Sequence, residues 1–463
     1  MPVPTSLASR AGADTIPIVP VKKGRLRDFL KDKPAGLKAW LESVGFTAEP
    51  GSVALVPGRD HRLRQVLVGV ESPGHIWAYG DLPTKLPAKH RYRLEARLEA
   101  AEANNAALGW ALGSYAYTRY KSAKRKPATL VWPEAADRVL VEARAEALCL
   151  ARDLINTPAD DMGPSALASA AGELAKQHGA KIEVIVGDQL LKRNYPTIHA
   201  VGRAAADAPR LIDMSWGKPS APKVTLVGKG VCFDSGGLDI KTAAGMKMMK
   251  KDMGGAASVL ALAKMIMAEA LPLRLRVLVP AVENAISANA FHPLDVIRTR
   301  KGITVEVGNT DAEGRLILCD ALAEADSEKP TLLIDMATLT GAARVALGPE
   351  LPALFSNNDS VAADLLTHAQ AEADPLWRMP LWQPYRKMLE TYMADISSTG
   401  DAPFAGSVTA ALFLQSFVSK DTPWVHIDTY AWNAKTRPGR PEGGEALGAR
   451  ALLALIRQRY ARV

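Results

Sequence analysis

Downstream of Asp137 the apolar positions follow two rhythms in turn. The run Asp137 to Ile155, DRVLVEARAEALCLARDLI, interleaves Ala and Leu with Arg and Glu at helical spacing. It stops at Asn156-Thr157-Pro158, because proline forces an extended residue before it. A second helix is predicted over Pro164 to His178, with Gly179 as its C-cap. Short apolar runs then read as strands: Lys181 to Val186, Arg210 to Ser215, Val224 to Val227, Arg274 to Val279, Thr304 to Val307 and Leu332 to Met336. Met253 to Ala268 and Arg315 to Ala325 read as helices between them. This alternation predicts an α/β fold with a mostly parallel, buried sheet flanked by helices on both faces. Ligands of such sheets bind beyond the carboxyl ends of the strands, which selects the loops after Val227, Val307 and Met336.

The first 120 or so residues read as a smaller α/β unit. Ser52 to Val56 and Gln65 to Val70 are expected as strands and Arg91 to Ala107 as a helix. The aromatic residues of Trp110 to Tyr120 suit packing, and Lys121 to Pro133, with its basic residues and prolines, suits a linker. At 463 residues the chain exceeds one ordinary core, so at least two domains are expected. With 48% hydrophobic and 23% charged residues, composition is that of a soluble globular protein. The net charge of +8 is mild and spread out, and the densest basic run is KSAKRK, Lys121 to Lys126. Nucleic acid therefore stays open as a partner with thin support. The amino terminus lacks a signal-peptide pattern, and no apolar run reaches membrane-spanning length. Three widely separated cysteines fit a reducing compartment, so a cytoplasmic location without membrane attachment is expected.

Reactive side chains gather where the sheet rule points. LVGKGVCFDSGGLDIK, Leu226 to Lys241, carries Lys229, Asp234 and Lys241. KKDMGGAASV, Lys250 to Val259, carries Asp252, and NTDAEGRLILCDA, Asn309 to Ala321, carries Asp311, Glu313 and Arg315. Each has an ordinary alternative: Asp252 as a helix N-cap, Asp234-Ser235-Gly236-Gly237 as a turn, Asp311 and Glu313 as solvated loop acids. The glycines around Lys229 match neither phosphate-binding signature. Four carboxylates at neighbouring strand ends would repel one another unless divalent cations neutralised them. Lys229, Lys241 and Arg315 would add positive charge for a developing oxyanion.

Together the segments VGKG, FDSGG, DMGGAA and NTDAEGRL, in this order, resemble the leucyl aminopeptidase family of two-metal exopeptidases. RDLINTPADDMGP (Arg152 to Pro164), VENAISANAFHPLDV (Val282 to Val296) and ATLTGA (Ala337 to Ala342) extend the resemblance from Arg152 to near the end. It implies an N-terminal assembly or regulatory domain over residues 1–130, a linking helix over 131–160 and a catalytic dimetal domain over 161–463. The expected activity is removal of the N-terminal residue from peptides with a free amine. Lys229, Asp234, Asp252, Asp311 and Glu313 become the metal ligands, with Asp234 and Glu313 bridging two divalent ions. Zn or Mn are favoured, with Co or Mg as alternatives in one site. Lys229 would have to ligate as a neutral amine. The resemblance makes Lys241 the stabiliser of the scissile carbonyl oxygen. Arg315, with the backbone near Leu339, would hold a bicarbonate that acts as general base for a metal-bridging water. Met249, Thr338, Gly341 and Tyr430 would line the pocket for the N-terminal side chain, and the assembly would be a homohexamer.

None of the eight histidines lies in the core motifs VGKG, FDSGG, DMGGAA and NTDAEGRL, so His292 and His426 are expected to be structural, and Cys319 to be core. One stretch departs from the family pattern. HIDTYAWN, His426 to Asn433, puts Tyr430 and Trp432 where small residues are usual. Tyr430 is expected to narrow or cap the pocket, with a turn into the core as the alternative. Rival classes fare worse: a nucleotide-binding module lacks its glycine-rich loop, and a scaffold needs no complete ligand set.

Overall fold

The computed structural model describes residues 6–400 and 402–461. The chain divides into one unit made of Met1–Cys149 with Lys435–Glu442 and another made of Leu150–Ala434 with Gly443–Val463. The helix Arg138–Asn156 carries the chain from the first into the second.

The first unit is built on six strands: β1 (Leu7–Ala8), β2 (Ile16–Lys22), β3 (Val53–Pro57), β4 (Leu63–Val70), β5 (Arg91–Leu94) and β6 (Thr129–Val131). Their order is β1-β6-β5-β2-β4-β3, all parallel except the β3–β4 hairpin. Ile18, Val66, Val68, Tyr92 and Trp110 form its core. Two expectations are corrected here. Arg91 to Ala107 is not one helix: Arg91–Leu94 buries only Tyr92 and pairs with Ile16–Ile18. Strand pairing overrides helix propensity there. The helix begins at Ala100, opened by a Glu99–Glu102 capping box, and ends at Gly113. Lys121 to Pro133 is not a free linker, since Thr129–Val131 pairs with β1 and β5. The Arg125 guanidinium donates to the Thr84 and Leu86 carbonyls, so part of the basic run is committed within this unit.

The second unit holds β7 (Lys181–Val186), β8 (Arg210–Trp216), β9 (Lys223–Gly228), β10 (Gly230–Asp234) and β11 (Arg274–Asn284). After β12 (Val296–Arg298) and β13 (Thr304–Glu306) come β14 (Leu332–Ala337), β15 (Ala353–Ser356), β16 (Trp377–Arg378), β17 (Ile396–Ser397) and β18 (Trp424–Asp428). A nine-stranded sheet runs β16-β15-β18-β14-β9-β11-β8-β7, with β10 extending along β11. Its centre, β18-β14-β9-β11, is parallel. The flanks are antiparallel at β8–β11, β7–β8 and β15–β18. Every residue of β14 and β18 is buried, as expected of strands covered on both faces. The helix Gly254–Ala268 is buried on nearly every side, and the helix Glu313–Ser327 is buried through its first three turns. Gly228 permits the first of these contacts: a Cβ there would lie 2.7 Å from Ala256 Cα. The parallel strands β9, β14 and β18 thus end side by side at Gly228, Ala337 and Asp428, and β10 runs on along β11 to Asp234. Among the described residues no helix is long and apolar enough to cross a membrane.

Candidate metal centre

Each acidic or basic group reaches the strand ends through a local device. Lys229 follows β9 directly; its N–H donates to the Met336 carbonyl (3.0 Å) and its carbonyl accepts from Ala256 N–H (2.8 Å). The 3-10 turn Met249–Met253 delivers Asp252 just ahead of the buried helix. Asn309 caps the next turn by accepting from Asp311 N–H at 2.7 Å, and Glu313 opens the helix behind it. A carboxylate in a first helical turn is favoured by the helix dipole. Gly314 must lack a side chain, because its Cβ would sit 2.4 Å from Lys229 Cε.

The groups interlock. Lys229 Nζ lies 2.5 Å from Asp252 Oδ2 and 3.1 Å from Glu313 Oε1, and donates to the Thr338 carbonyl at 2.9 Å. Lys241 Nζ lies 2.8 Å from Asp234 Oδ2 and also pairs with Asp311. Carboxylate oxygens of Asp234, Asp252 and Glu313 come within 4.8 Å of one another, all three residues buried. Burial raises the Glu313 pKa well above the carboxylate range, and the Asp234 charge raises it further. Asp234 is raised by burial and by Asp252. Burial acts the same way on Asp252, but the Lys229 and Lys251 ammonium groups outweigh it and hold that carboxyl low. For Lys229, burial favours the neutral amine, yet Asp252, Glu313 and Asp234 together keep it strongly protonated.

Divalent cations fit this donor set. Four carboxylates here face two ammonium groups, and Glu313 Oε2 is buried with no hydrogen-bond partner. Uncompensated buried negative charge of this kind is what an oxygen-ligated cation neutralises. Such charge would also displace the Lys229 proton, which the carboxylates alone retain.

A cavity of about 800 Å³ opens onto the cluster. Lys229, Asp234, Lys241, Asp252, Asp311 and Arg315 line it, as do Met249, Thr338, Leu339, Gly341 and Tyr430. Glu313 does not, and joins the cluster through Lys229. Tyr430 is half-buried and faces the cavity rather than the core. Arg315 donates to the Ser398 carbonyl at 2.7 Å, while its Nε is buried without a partner. Burial lowers its pKa to about 10 against the opposing pull of Glu313 and Asp428. The Leu339 N–H donates to Asp428 Oδ1 at 3.0 Å.

Several residues support the cluster in roles that the sequence motifs did not reveal. Asn284, at the end of β11, donates from Nδ2 to Asp234 Oδ1 (2.8 Å) and to the Thr310 carbonyl (3.1 Å). Thr338 Oγ1 donates to Asp252 Oδ1 at 2.8 Å. Asp428 accepts from Leu339 and Thr340 N–H and from Thr340 Oγ1, fixing the loop after β14. Asp428 stands in the His-x-Asp of HIDTYAWN, the one place where the sequence hinted at it. His426 pairs with Asp335 at 2.5 Å and packs between Phe355 and Trp424, whereas His292 is exposed beside Asp295. Cys319 is buried in the core.

Comparison with known proteins decides the family. Residues 149–453 match the catalytic domain of the cytosol aminopeptidase family, and residues 16–133 match the M17 aminopeptidase N-terminal domain. The chain belongs to the cytosol aminopeptidase family. A probable cytosol aminopeptidase from Syntrophotalea carbinolica is 42% identical over 76% of this chain and 74% of its own. The crystal structure of the cytosol aminopeptidase from Coxiella burnetii superposes with a TM-score of 0.94 at 48% identity, covering 98% of this chain and 99% of that one. The bottromycin maturation enzyme BotP, solved in complex with Mn, gives 0.86 at 33% identity over 96% and 100%. As a cytosol aminopeptidase family member, the chain is a metal-dependent exopeptidase, a hydrolase of peptide bonds, and the resemblance read from NTDAEGRL and its partner segments holds.

Proposed function

We propose that this protein removes N-terminal residues from peptides at a dinuclear centre held by Lys229, Asp234, Asp252, Asp311 and Glu313. The observation that carries the reading is the buried cluster of Asp234, Asp252 and Glu313 beside two lysines, with one Glu313 oxygen left unpaired. Two divalent ions held there, Zn or Mn, would supply Lewis-acid polarisation of the peptide carbonyl, a lowered pKa for attacking water and a position for the free α-amine.

The chain's own residues do the rest. Lys241, poised on Asp234 and Asp311, is placed to stabilise negative charge growing on the carbonyl oxygen. Arg315 keeps an unpartnered Nε–H in a buried position, which suits a bicarbonate serving as general base. The backbone near Leu339 lines the same cavity and would complete the bicarbonate site with Arg315. Asn284 and Thr338 orient the Asp234 and Asp252 carboxylates. Met249, Thr338, Gly341 and Tyr430 form the pocket for the N-terminal side chain, with Tyr430 narrowing it. Residues 1–130 serve assembly or regulation and residues 161–463 carry the catalysis.

A cytoplasmic homohexamer completes the reading. Trp377, Trp382, Tyr392, Met393 and Phe404 are all exposed large apolar groups within one stretch of the second unit, as a self-association surface requires. Elemental analysis of the purified protein tests the centre: two ions per chain are expected, and Asp252→Asn should lower that number. A single ion per chain, unchanged in the variant, would contradict the dinuclear assignment.

A further inference from the structure

The cavity wall carries two cations that the metal chemistry does not use. Lys251 is only 4% exposed, and among the described residues its ammonium has no carboxylate within ion-pair reach. It rests 4.5 Å from the centre of the Tyr430 ring, and the Arg344 guanidinium carbon lies 5.2 Å from the same centre. All three side chains line the cavity. The charged groups around Lys251 are Asp252, Asp428, Lys229 and Arg344. Both carboxylates are already committed, Asp252 to Lys229 and Thr338, and Asp428 to the Leu339–Thr340 backbone and the Thr340 hydroxyl. An aromatic face only partly offsets the desolvation of an ammonium group, so this wall is short of one anion.

We infer that the missing anion belongs to the substrate: the protein favours peptides whose N-terminal residue is glutamate or aspartate, with the side-chain carboxylate on Lys251 and Arg344. This rests on the aminopeptidase reading, because an exopeptidase that anchors the α-amine at the ion cluster must place the first side chain against the adjoining wall. Lys251 is next to Asp252 in the chain. The turn bearing Tyr430 packs on the same spot, since a Cβ on Gly254 would meet Ala431 Cβ at 2.4 Å and Thr338 Cγ2 at 3.3 Å. Charge-assisted contacts to a carboxylate in a partly dry pocket exceed neutral ones in strength, so the isosteric amide is the informative competitor. A terminal carboxylate of a short peptide presents the same chemistry, and amidated peptides separate the two sources.

The test uses the metal-loaded protein and otherwise identical tripeptides that begin with Glu, Gln or Leu, each as the C-terminal amide and as the free acid. The expected kcat/KM for Glu exceeds that for Gln by about tenfold. Lys251→Met should bring the Glu/Gln ratio toward one. So should Arg344→Gln, which alters an exposed side chain and leaves the buried wall intact. Equal or faster cleavage of the Gln peptide, with the Leu peptide turned over, overturns the inference and leaves the aminopeptidase reading standing. A preference that follows a free C-terminal carboxylate instead of the N-terminal side chain overturns it as well. No release from any of the three peptides overturns both.

Discussion

At the scale of single residues, the hydrogen bond from Thr338 to Asp252 shows how the chain aims its donors. Thr338 also closes on Lys229 through its carbonyl, so one residue steadies two proposed ligands. Thr338→Val keeps the volume and removes the donor. It should weaken metal affinity by about 10- to 100-fold, measured by titrating the chelator-stripped protein with Zn or Mn. Unchanged affinity would mean that Asp252 needs no outer support. The proposed ligands stood out in the sequence because VGKG, NTDAEGRL, FDSGG and DMGGAA are compact motifs. Asn284, Lys251 and Arg344 did not, since each acquires its meaning from a partner brought in by the fold. Lys251 reads as one more basic residue in KKDMGG until the structure shows it buried with no ion-pair partner among the described residues.

At the scale of elements, close approach of strand and helix sets the site. Gly228 ends β9 against the helix Gly254–Ala268, and a Cβ there would press on Ala256 Cα and, at 2.5 Å, on Val259 Cγ2. Gly228→Ala should therefore cost about 1–3 kcal/mol, read as a fall in Tm, because the clash is partly with backbone. Strand β18 offers a pH test. Burial lowers the His426 pKa, but the Asp335 carboxylate outweighs it and the net shift is upward from 6.5. A group raised in the folded state stabilises fully below its unfolded value and loses that contribution as pH rises through the folded one. The imidazole of His426 should thus titrate above 6.5 in a nitrogen-15 NMR experiment, and stability should decline with pH across that step. A midpoint at or below 6.5 would contradict the pairing. Element boundaries were clear from sequence where strands are fully buried, as at Leu332 to Met336, which is found as Leu332–Ala337. They failed at Arg91 to Ala107, where a half-buried strand of alternating pattern abuts a helix and shares its composition.

At the scale of the whole molecule, the parallel centre of the sheet was legible from the alternation of strands and helices. The antiparallel flanks were not, because pairing direction at a sheet edge depends on connections that leave no local pattern. What the sheet achieves is convergence: β9, β14 and β18 end together, β10 runs on to Asp234, and groups from these ends line one cavity. The central claim is that this convergence cleaves next to a free amino terminus with the help of bound metal. The direct measurement follows amino-acid release from a short peptide and from its N-acetylated twin, with metal supplied and with metal chelated. Release is expected only from the free-amine peptide and only with metal. Equal cleavage of the acetylated peptide, or release undiminished by the chelator, would contradict the account.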